Sequence, residues 1–93
     1  MIQGFANADT EALCQDGKCP AKWQSIEAVA LRKLDMLDAA VKLSDLRSPP
    51  GNRLEALKGD RKSQHVIRIN RQWRICFRRT ANGPEDVEIV DDH

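Results

Sequence analysis

The stretch that decides the fold runs from residue 65 to residue 79 and reads HVIRINRQWRICFRR. Apolar and polar residues alternate on both sides of Asn70-Arg71, which is typical of two short strands joined by a two-residue turn. Alternate side chains lie on the same side of a strand, so one face of this hairpin is apolar and is predicted to cover a helix. The opposite face carries three arginines, Arg68, Arg74 and Arg78.

Two further segments predict strands around this hairpin. Residues 81–84 predict a second turn, and residues 87–91 then predict a last strand. Met1–Phe5 is a short apolar segment that is compatible with an edge strand. These segments and the hairpin are expected to form a small antiparallel sheet.

The first half of the chain predicts helices. Asp9-Thr10 offers a cap for a brief helix over residues 11–15, which Asp16-Gly17 ends. Pro20 suits the first turn of a longer amphipathic helix, predicted over residues 20–42. Its apolar stripe, with steps of three and four, consists of Trp23, Ile26, Ala30, Leu34, Leu37 and Val41.

The loop Ser48-Pro49-Pro50-Gly51-Asn52 separates the helical half from the strands, and its prolines and glycine predict no helix there. The element order is strand, two helices and three strands. This order predicts an α/β fold in which N-terminal helices pack on a small antiparallel sheet. Neither half is large enough to fold alone, so residues 1–93 are expected to form a single domain.

Composition excludes several classes of protein. The 93 residues are 41% hydrophobic and 31% charged, which is too apolar for a fully disordered chain. No apolar run approaches the ~18–20 residues of a membrane span. Residues 1–12 lack the basic and apolar regions of a secretory signal. We therefore expect a cytoplasmic protein without membrane contact, whose three cysteines remain thiols.

Charge is segregated along the chain although the net charge is only +1. Residues 53–79 carry nine Lys/Arg and two Asp/Glu, whereas residues 80–93 carry five acidic residues and no base. Such a basic block indicates a partner that bears phosphates. Two alternatives stay open at this point: the bases neutralise the acidic last strand, or they bind an acidic protein.

The sequence predicts neither a metal site nor a cofactor. Cys14 and Cys19, with the distant His65 and His93, do not form a zinc pattern. Residues 58–61 predict a turn and not a phosphate-binding glycine-rich loop.

A charged constellation remains on the strand half. It consists of Glu55 and Lys58 before the sheet, the three hairpin arginines, and Asp91, Asp92 and His93. RNA strand scission needs a group that deprotonates the 2′-OH, positive charge at the phosphate and a proton for the leaving oxygen, and these residue types supply all three. His93 is a candidate acid or base near neutral pH. The alternative is that the histidine and the arginine row are merely solvated.

Several motifs in order resemble the HigB toxins of bacterial toxin–antitoxin systems, which belong to the RelE/ParE superfamily. The motifs are LRSPPGNRLEALKGDR at residues 46–61, IRIN at 67–70, WRICF at 73–77 and VEIVD at 87–91. The resemblance implies a RelE-like toxin that cleaves messenger RNA in the ribosomal A site. It also implies neutralisation by a HigA-like helix-turn-helix antitoxin, and contact with operator DNA only through the antitoxin complex.

The resemblance also implies functional roles for individual residues. Lys58 and Arg74 match basic positions that bind RNA or stabilise the scissile phosphate, and Asp91 and His93 match catalytic positions. Arg61, Arg68 and Arg78 are expected to bind RNA. Glu55 stands where some members have a catalytic histidine, so a carboxylate is expected to take that role.

One departure from the family pattern predicts weakened activity. Asp92 stands where close relatives have a tyrosine, and the chain contains no tyrosine. A phenol stacks on a base and donates a proton, whereas Asp92 adds a negative charge near a phosphate. Two other functions stay open: a non-enzymatic inhibitor like the gyrase-poisoning ParE branch, or a module that only docks the antitoxin.

Overall fold

The computed structural model describes residues 1–57, 59 and 63–91, and within these residues helices pack on one four-stranded antiparallel sheet. Helices α1 and α2 span Ala8–Asp16 and Glu27–Ala39. Three 3-10 helices span Ala21–Ile26, Leu43–Arg47 and Pro50–Asn52. The strands are β1 (Glu55–Ala56), β2 (Gln64–Arg68), β3 (Trp73–Thr80) and β4 (Gly83–Asp91), in that order across the sheet. The predicted architecture of helices on an antiparallel sheet is confirmed.

The core lies between the helices and one face of the sheet, as the alternation in the hairpin predicts. Ile67, Ile75 and Phe77 are fully buried from the sheet side. From the helices, the stripe residues from Trp23 to Leu37 are buried against them, and the ring of Trp23 meets Trp73 edge to face at 6.2 Å between centroids. Val41, the last residue of the predicted stripe, is 77% exposed.

The predicted single helix over residues 20–42 is wrong at both ends. Its first turns form the 3-10 helix Ala21–Ile26, and α2 ends at Ala39 because Ala40 is extended. Beyond this point the carboxylate of Asp45 accepts hydrogen bonds from the N–H groups of Val41 and Lys42, both at 3.0 Å. The expectation of no helix in the loop over residues 48–52 is also wrong, since Pro50–Asn52 forms a 3-10 turn.

The hairpin turn is wider than predicted. β2 ends at Arg68 and β3 begins at Trp73, so residues 69–72 form the turn in place of Asn70-Arg71 alone. The side-chain oxygen of Asn70 accepts hydrogen bonds from the N–H groups of Gln72 and Trp73, both at 2.8 Å. This local side-chain bonding stabilises the longer turn.

The N-terminal segment borders β4, with an isolated bridge between Phe5 and Val87 and a further hydrogen bond from Gln3 N–H to the Pro84 carbonyl at 2.7 Å. The pairing is parallel, and it includes hydrogen bonds from Ala6 N–H to the Val87 carbonyl and from Val87 N–H to the Gly4 carbonyl. The predicted edge segment therefore lies where expected, without forming a regular strand. Across the described residues, no helix is both long and apolar enough to cross a bilayer.

Helix α1 begins earlier than predicted and is fixed to the sheet by Thr10. Its cap is Asn7, whose side chain accepts from Thr10 N–H at 2.8 Å, and Gly17 at φ 68° ends it as predicted. The Thr10 side chain is fully buried and its hydroxyl accepts a hydrogen bond from Ile89 N–H on β4 at 3.0 Å.

Replacing Thr10 with valine should destabilise the protein, because it leaves a buried N–H without an acceptor at almost unchanged volume. The expected loss is about 1–3 kcal/mol of unfolding free energy. For a domain of this size, each kcal/mol lowers Tm by roughly 4–8 °C, which thermal unfolding measures. Thr10→Ser keeps the hydroxyl and is the matched control. Equal Tm values for Thr10→Val and the wild type would contradict the assigned role of this bond.

Candidate functional site

A cleft of about 480 Å³ opens on the sheet face that points away from the helices. Strand register explains its composition: Glu55 pairs with Val66, Val66 pairs with Cys76, and Arg74 pairs with Val90, so these side chains share one face. Val66 and Cys76 are buried and form the apolar floor. The complete lining is Arg53, Glu55, Leu57, Val66, Arg74, Cys76, Val90 and Asp91.

The cleft brings together three of the residues selected from the sequence, Glu55, Arg74 and Asp91. Arg68 lies directly opposite Arg74 in the β2–β3 register. Four other selected residues, Lys58, Arg61, Asp92 and His93, lie outside the described residues, so their roles stay predictions.

Arg74 is held in place by the hairpin turn. Its Nη1 donates to the carbonyl oxygen of Asn70 and, at 3.3 Å, to the carbonyl oxygen of Trp73. Two bonds to backbone restrict the rotation of a long side chain that is half-buried. The guanidinium is therefore largely pre-organised at the cleft, which lowers the entropic cost of using it to bind an anion.

Arg74 belongs to a group of four guanidinium side chains, with Arg53, Arg68 and Arg71, that we call the arginine cluster. Partial removal from water, and next the charges of Arg53, Arg74 and Arg71, lower the pKa of Arg68. The part of this lowering that comes from the three neighbouring guanidinium charges reflects repulsion between them and Arg68. A bound anion would relieve this repulsion, which makes the cluster suited to a phosphate-bearing ligand.

Arg78 differs from the other hairpin arginines because its charge is balanced locally. Its Nε donates to Asp86 at 3.1 Å and its Nη2 donates to Glu85 at 2.5 Å. These two carboxylates raise the pKa of Arg78. A register shift in the β3–β4 pairing, with Asp86 at φ 54°, accompanies this pairing. Neutralisation by the acidic last strand, one alternative for the basic block, therefore applies to Arg78, which does not line the cleft.

The two carboxylates of the cleft lie on its outer strands. Glu55 is on the two-residue strand β1 and is exposed. Asp91 is the last described residue of β4, and its Oδ2 accepts a hydrogen bond from Gln72 Nε2 at 3.1 Å. Carboxylates beside a guanidinium cluster provide a proton acceptor next to positive charge, which is the pair of functions that phosphodiester cleavage needs.

Sequence reasoning missed Arg53 and Arg71 as members of the cluster. Arg71 lies in the hairpin turn and was treated only as a turn residue. Arg53 follows the Pro50–Asn52 turn in the left-handed conformation, at φ 46°, outside any strand pattern. Its one signal in the sequence is a base directly after a proline- and glycine-rich turn. No group of three His, Cys, Asp or Glu residues in the described part of the chain is arranged to hold a metal ion.

Comparisons with known proteins agree with this architecture. Residues 3–93 match the family model for HigB-like toxins, described as RelE-like toxins of the type II toxin–antitoxin system HigB. The chain is 55% identical over 53 residues to Toxin HigB-1 of Vibrio cholerae serotype O1, an alignment that covers 57% of this chain and 56% of that toxin. It is 43% identical over 65 residues to an uncharacterized protein of Haemophilus influenzae, covering 70% and 63% of the two chains. Each alignment thus spans less than two thirds of the relative's length.

Proposed function

The chain belongs to the HigB-like family of RelE-like type II toxins, and from this premise we propose that it is an endoribonuclease that cleaves messenger RNA on the ribosome. The observation that carries the proposal is the cleft, where Glu55 and Asp91 lie with Arg74 on an open face of the sheet. This arrangement offers both a base and charge stabilisation to a phosphodiester. A purely solvated arginine row does not require such a cleft.

The chemistry divides among the residues as follows. The Glu55 carboxylate accepts the proton of the attacking 2′-OH, and the guanidinium of Arg74 stabilises the charge that develops on the phosphate. From the family resemblance, Lys58 adds positive charge there, and Asp91 and His93 are catalytic residues. In this proposal the imidazole of His93 protonates the leaving 5′ oxygen. Because the charge of Arg78 is balanced by Glu85 and Asp86, we assign RNA binding to Arg68 and Arg61.

Cleavage of a defined messenger RNA, with and without ribosomes, tests this function. We expect cleavage within the reading frame that requires ribosomes. Absence of cleavage, together with inhibition of gyrase supercoiling, would instead establish the non-enzymatic ParE-like function. Absence of both would leave a module that only docks an antitoxin.

The partner of a type II toxin is an antitoxin, and we propose one of the HigA-like helix-turn-helix type. In this proposal the toxin reaches operator DNA only through that complex, and it acts in the cytoplasm on ribosome-bound messenger RNA. Co-expression with a HigA-like helix-turn-helix antitoxin should suppress growth inhibition and yield a co-purifying complex.

Replacing Asp92 with tyrosine should increase activity, and this prediction rests on the sequence because residue 92 lies outside the described residues. Tyrosine supplies a surface for base stacking, worth about 1–3 kcal/mol per base, and removes a negative charge. We expect ribosome-dependent cleavage and growth inhibition to rise by at least about tenfold. Asp92→Asn is the control, since it removes the charge without adding a ring. Equal cleavage rates for Asp92→Tyr and the wild type would show that aspartate is tolerated here.

A further inference from the structure

Lys33 is an unusual residue for the core of so small a protein. It lies on α2 with only 8% of its surface exposed, and its Nζ donates to the side-chain oxygen of Asn52. Burial is the main cause that lowers its pKa, with a smaller contribution from the charge of Arg32. Burying an ammonium group is costly compared with burying a leucine or methionine at the same place. A lysine at this position is therefore expected to serve a purpose other than packing, through its hydrogen bond to Asn52.

What Lys33 holds is the turn that leads into the cleft. Asn52 is fully buried, and its Nδ2 donates to the carbonyl oxygen of Leu46 at 3.1 Å and lies 3.5 Å from that of Ser48. The Asn52 amide thus closes the segment over residues 46–52 on itself. The bond from Lys33 then fixes this closed segment to α2, on the opposite side of the sheet from the cleft.

The residue that follows the anchor is Arg53. Its N–H donates to the carbonyl oxygen of Pro50 at 3.1 Å, and its backbone is in the left-handed region at φ 46°. The left-handed conformation is unfavourable for a residue other than glycine, so the surrounding contacts must impose this conformation on Arg53. The conformation redirects the chain so that the exposed Arg53 lines the cleft beside Glu55.

We propose that Arg53 is an additional phosphate-binding residue of the cleft and that the buried Lys33–Asn52 bond positions it. This inference rests on the proposed function, because the phosphates are those of the RNA strand. Arg53 and Arg74 both line the cleft, and the charge of Arg53 contributes to the lowered pKa of Arg68. An RNA strand carries a charge at every nucleotide, so cations at separate points of the cleft match it better than they match a single anion.

Arg53→Gly tests the binding role, since glycine accepts the left-handed backbone and only the side chain is lost. Affinity for a short single-stranded RNA is measured by fluorescence anisotropy at several salt concentrations. We expect roughly fivefold to tenfold weaker binding, and a salt slope lower by about 0.7, the value for one phosphate contact on a single strand. In ribosome-dependent cleavage KM should rise more than kcat falls. Lys18→Ala, which removes an exposed cation of the helical half, is the control and should bind RNA like the wild type.

Arg74→Ala in the same series separates the two proposals. If both variants leave ribosome-dependent cleavage, RNA affinity and its salt slope unchanged, the cleft is not the site of RNA cleavage and the proposed function fails. If Arg74→Ala lowers cleavage while Arg53→Gly changes neither RNA affinity nor its salt slope, the role given to Arg53 is wrong although the function stands.

Lys33→Met tests the positioning role, because methionine keeps the buried stem and removes the donor. We expect the same reduction in salt slope as for Arg53→Gly, and no further loss when both changes are combined, since both remove one contact. Ile26→Val, another buried residue of the helical layer, is the control for lowered stability and should keep the wild-type slope. Additive losses in the double variant, or an unchanged slope in Lys33→Met, would overturn the positioning role.

A measurement on the wild type covers the case in which Lys33→Met does not fold. A lysine ammonium that is buried and hydrogen-bonded exchanges its protons slowly, so its ¹H–¹⁵N signal should persist at neutral pH. The signal assigned to Lys33 should be protected in this way, and those of the exposed Lys18 and Lys42 should not. Rapid exchange at Lys33 would overturn the anchor.

Discussion

Replacing Arg74 with alanine is expected to lower ribosome-dependent cleavage by about a hundred- to a thousandfold, the usual loss when one pre-organised donor to a transition-state oxyanion is removed. The guanidinium is fixed by the carbonyl groups of Asn70 and Trp73, so it does not have to be ordered during the reaction. The loss should fall on kcat more than on KM, because the charge that Arg74 meets grows in the transition state. Single-turnover cleavage on programmed ribosomes measures it.

Arg78→Ala is the matched control for this prediction. Arg78 is on the same strand, four residues further on, but it is paired with Glu85 and Asp86 and lies outside the cleft. Its removal should change cleavage by less than threefold or so, in line with the small contribution of exposed ion pairs. Equal losses for Arg74→Ala and Arg78→Ala would mean that the basic block acts through total charge and not through the cleft.

The central strands could be predicted from the sequence because their signal is local. Alternation in residues 65–79 is enough to assign one face to the core and the other to the arginines, and the structure confirms this for Ile67, Ile75 and Phe77. The same holds for the end of α1, where Gly17 adopts the left-handed conformation that a helix end favours. Such features depend on residues that are close together in the chain.

The features that were not predicted depend on contacts between distant residues. Thr10 was interpreted as part of a cap, yet its hydroxyl bonds to Ile89, 79 residues away. Strand β1 has only two residues, too few for any alternation, and is defined by its pairing with β2. The early end of the helix predicted over residues 20–42 is an exception, because the Asp45 carboxylate beyond Ala39 accepts from N–H groups only three and four residues away.

The candidate site divides in the same way. Alternation along the strand predicts the sheet face on which Arg74 lies, and the family resemblance predicts catalytic roles for Glu55 and Asp91. All three residues line the cleft. Neither strand alternation nor the family resemblance predicts Arg53 as a site residue. It reaches the cleft through a left-handed turn that depends on the buried Asn52. Arg78 has the strand signal but is neutralised by acids that the shifted pairing brings beside it. The two-residue alternation of side chains along a strand assigns residues to a face of the sheet. It does not show which charges on that face are already paired.

Replacing Glu55 with glutamine should change binding and catalysis in opposite directions. Glu55 lies with Arg53 and Arg74 in the lining of the cleft, where its negative charge opposes an incoming phosphate. Removing that charge should tighten the binding of single-stranded RNA, by about twofold at low salt if it is worth a few tenths of a kcal/mol in an exposed cleft. Removing the proton acceptor should slow cleavage by about a hundredfold or more, the usual contribution of a general base.

The opposite signs distinguish a base from a residue that only sets the local charge. Glu88→Gln is the control, because Glu88 is on the same sheet face, opposite Cys76, but does not line the cleft. It should leave the cleavage rate unchanged. If Glu55→Gln both binds RNA more tightly and cuts it faster, the carboxylate merely weakens RNA binding and the base lies elsewhere. Glu55→His introduces the residue found in some family members and separates the two cases. Histidine accepts a proton without a standing negative charge. Its cleavage rate should therefore exceed that of Glu55→Gln only if a base is needed at this position.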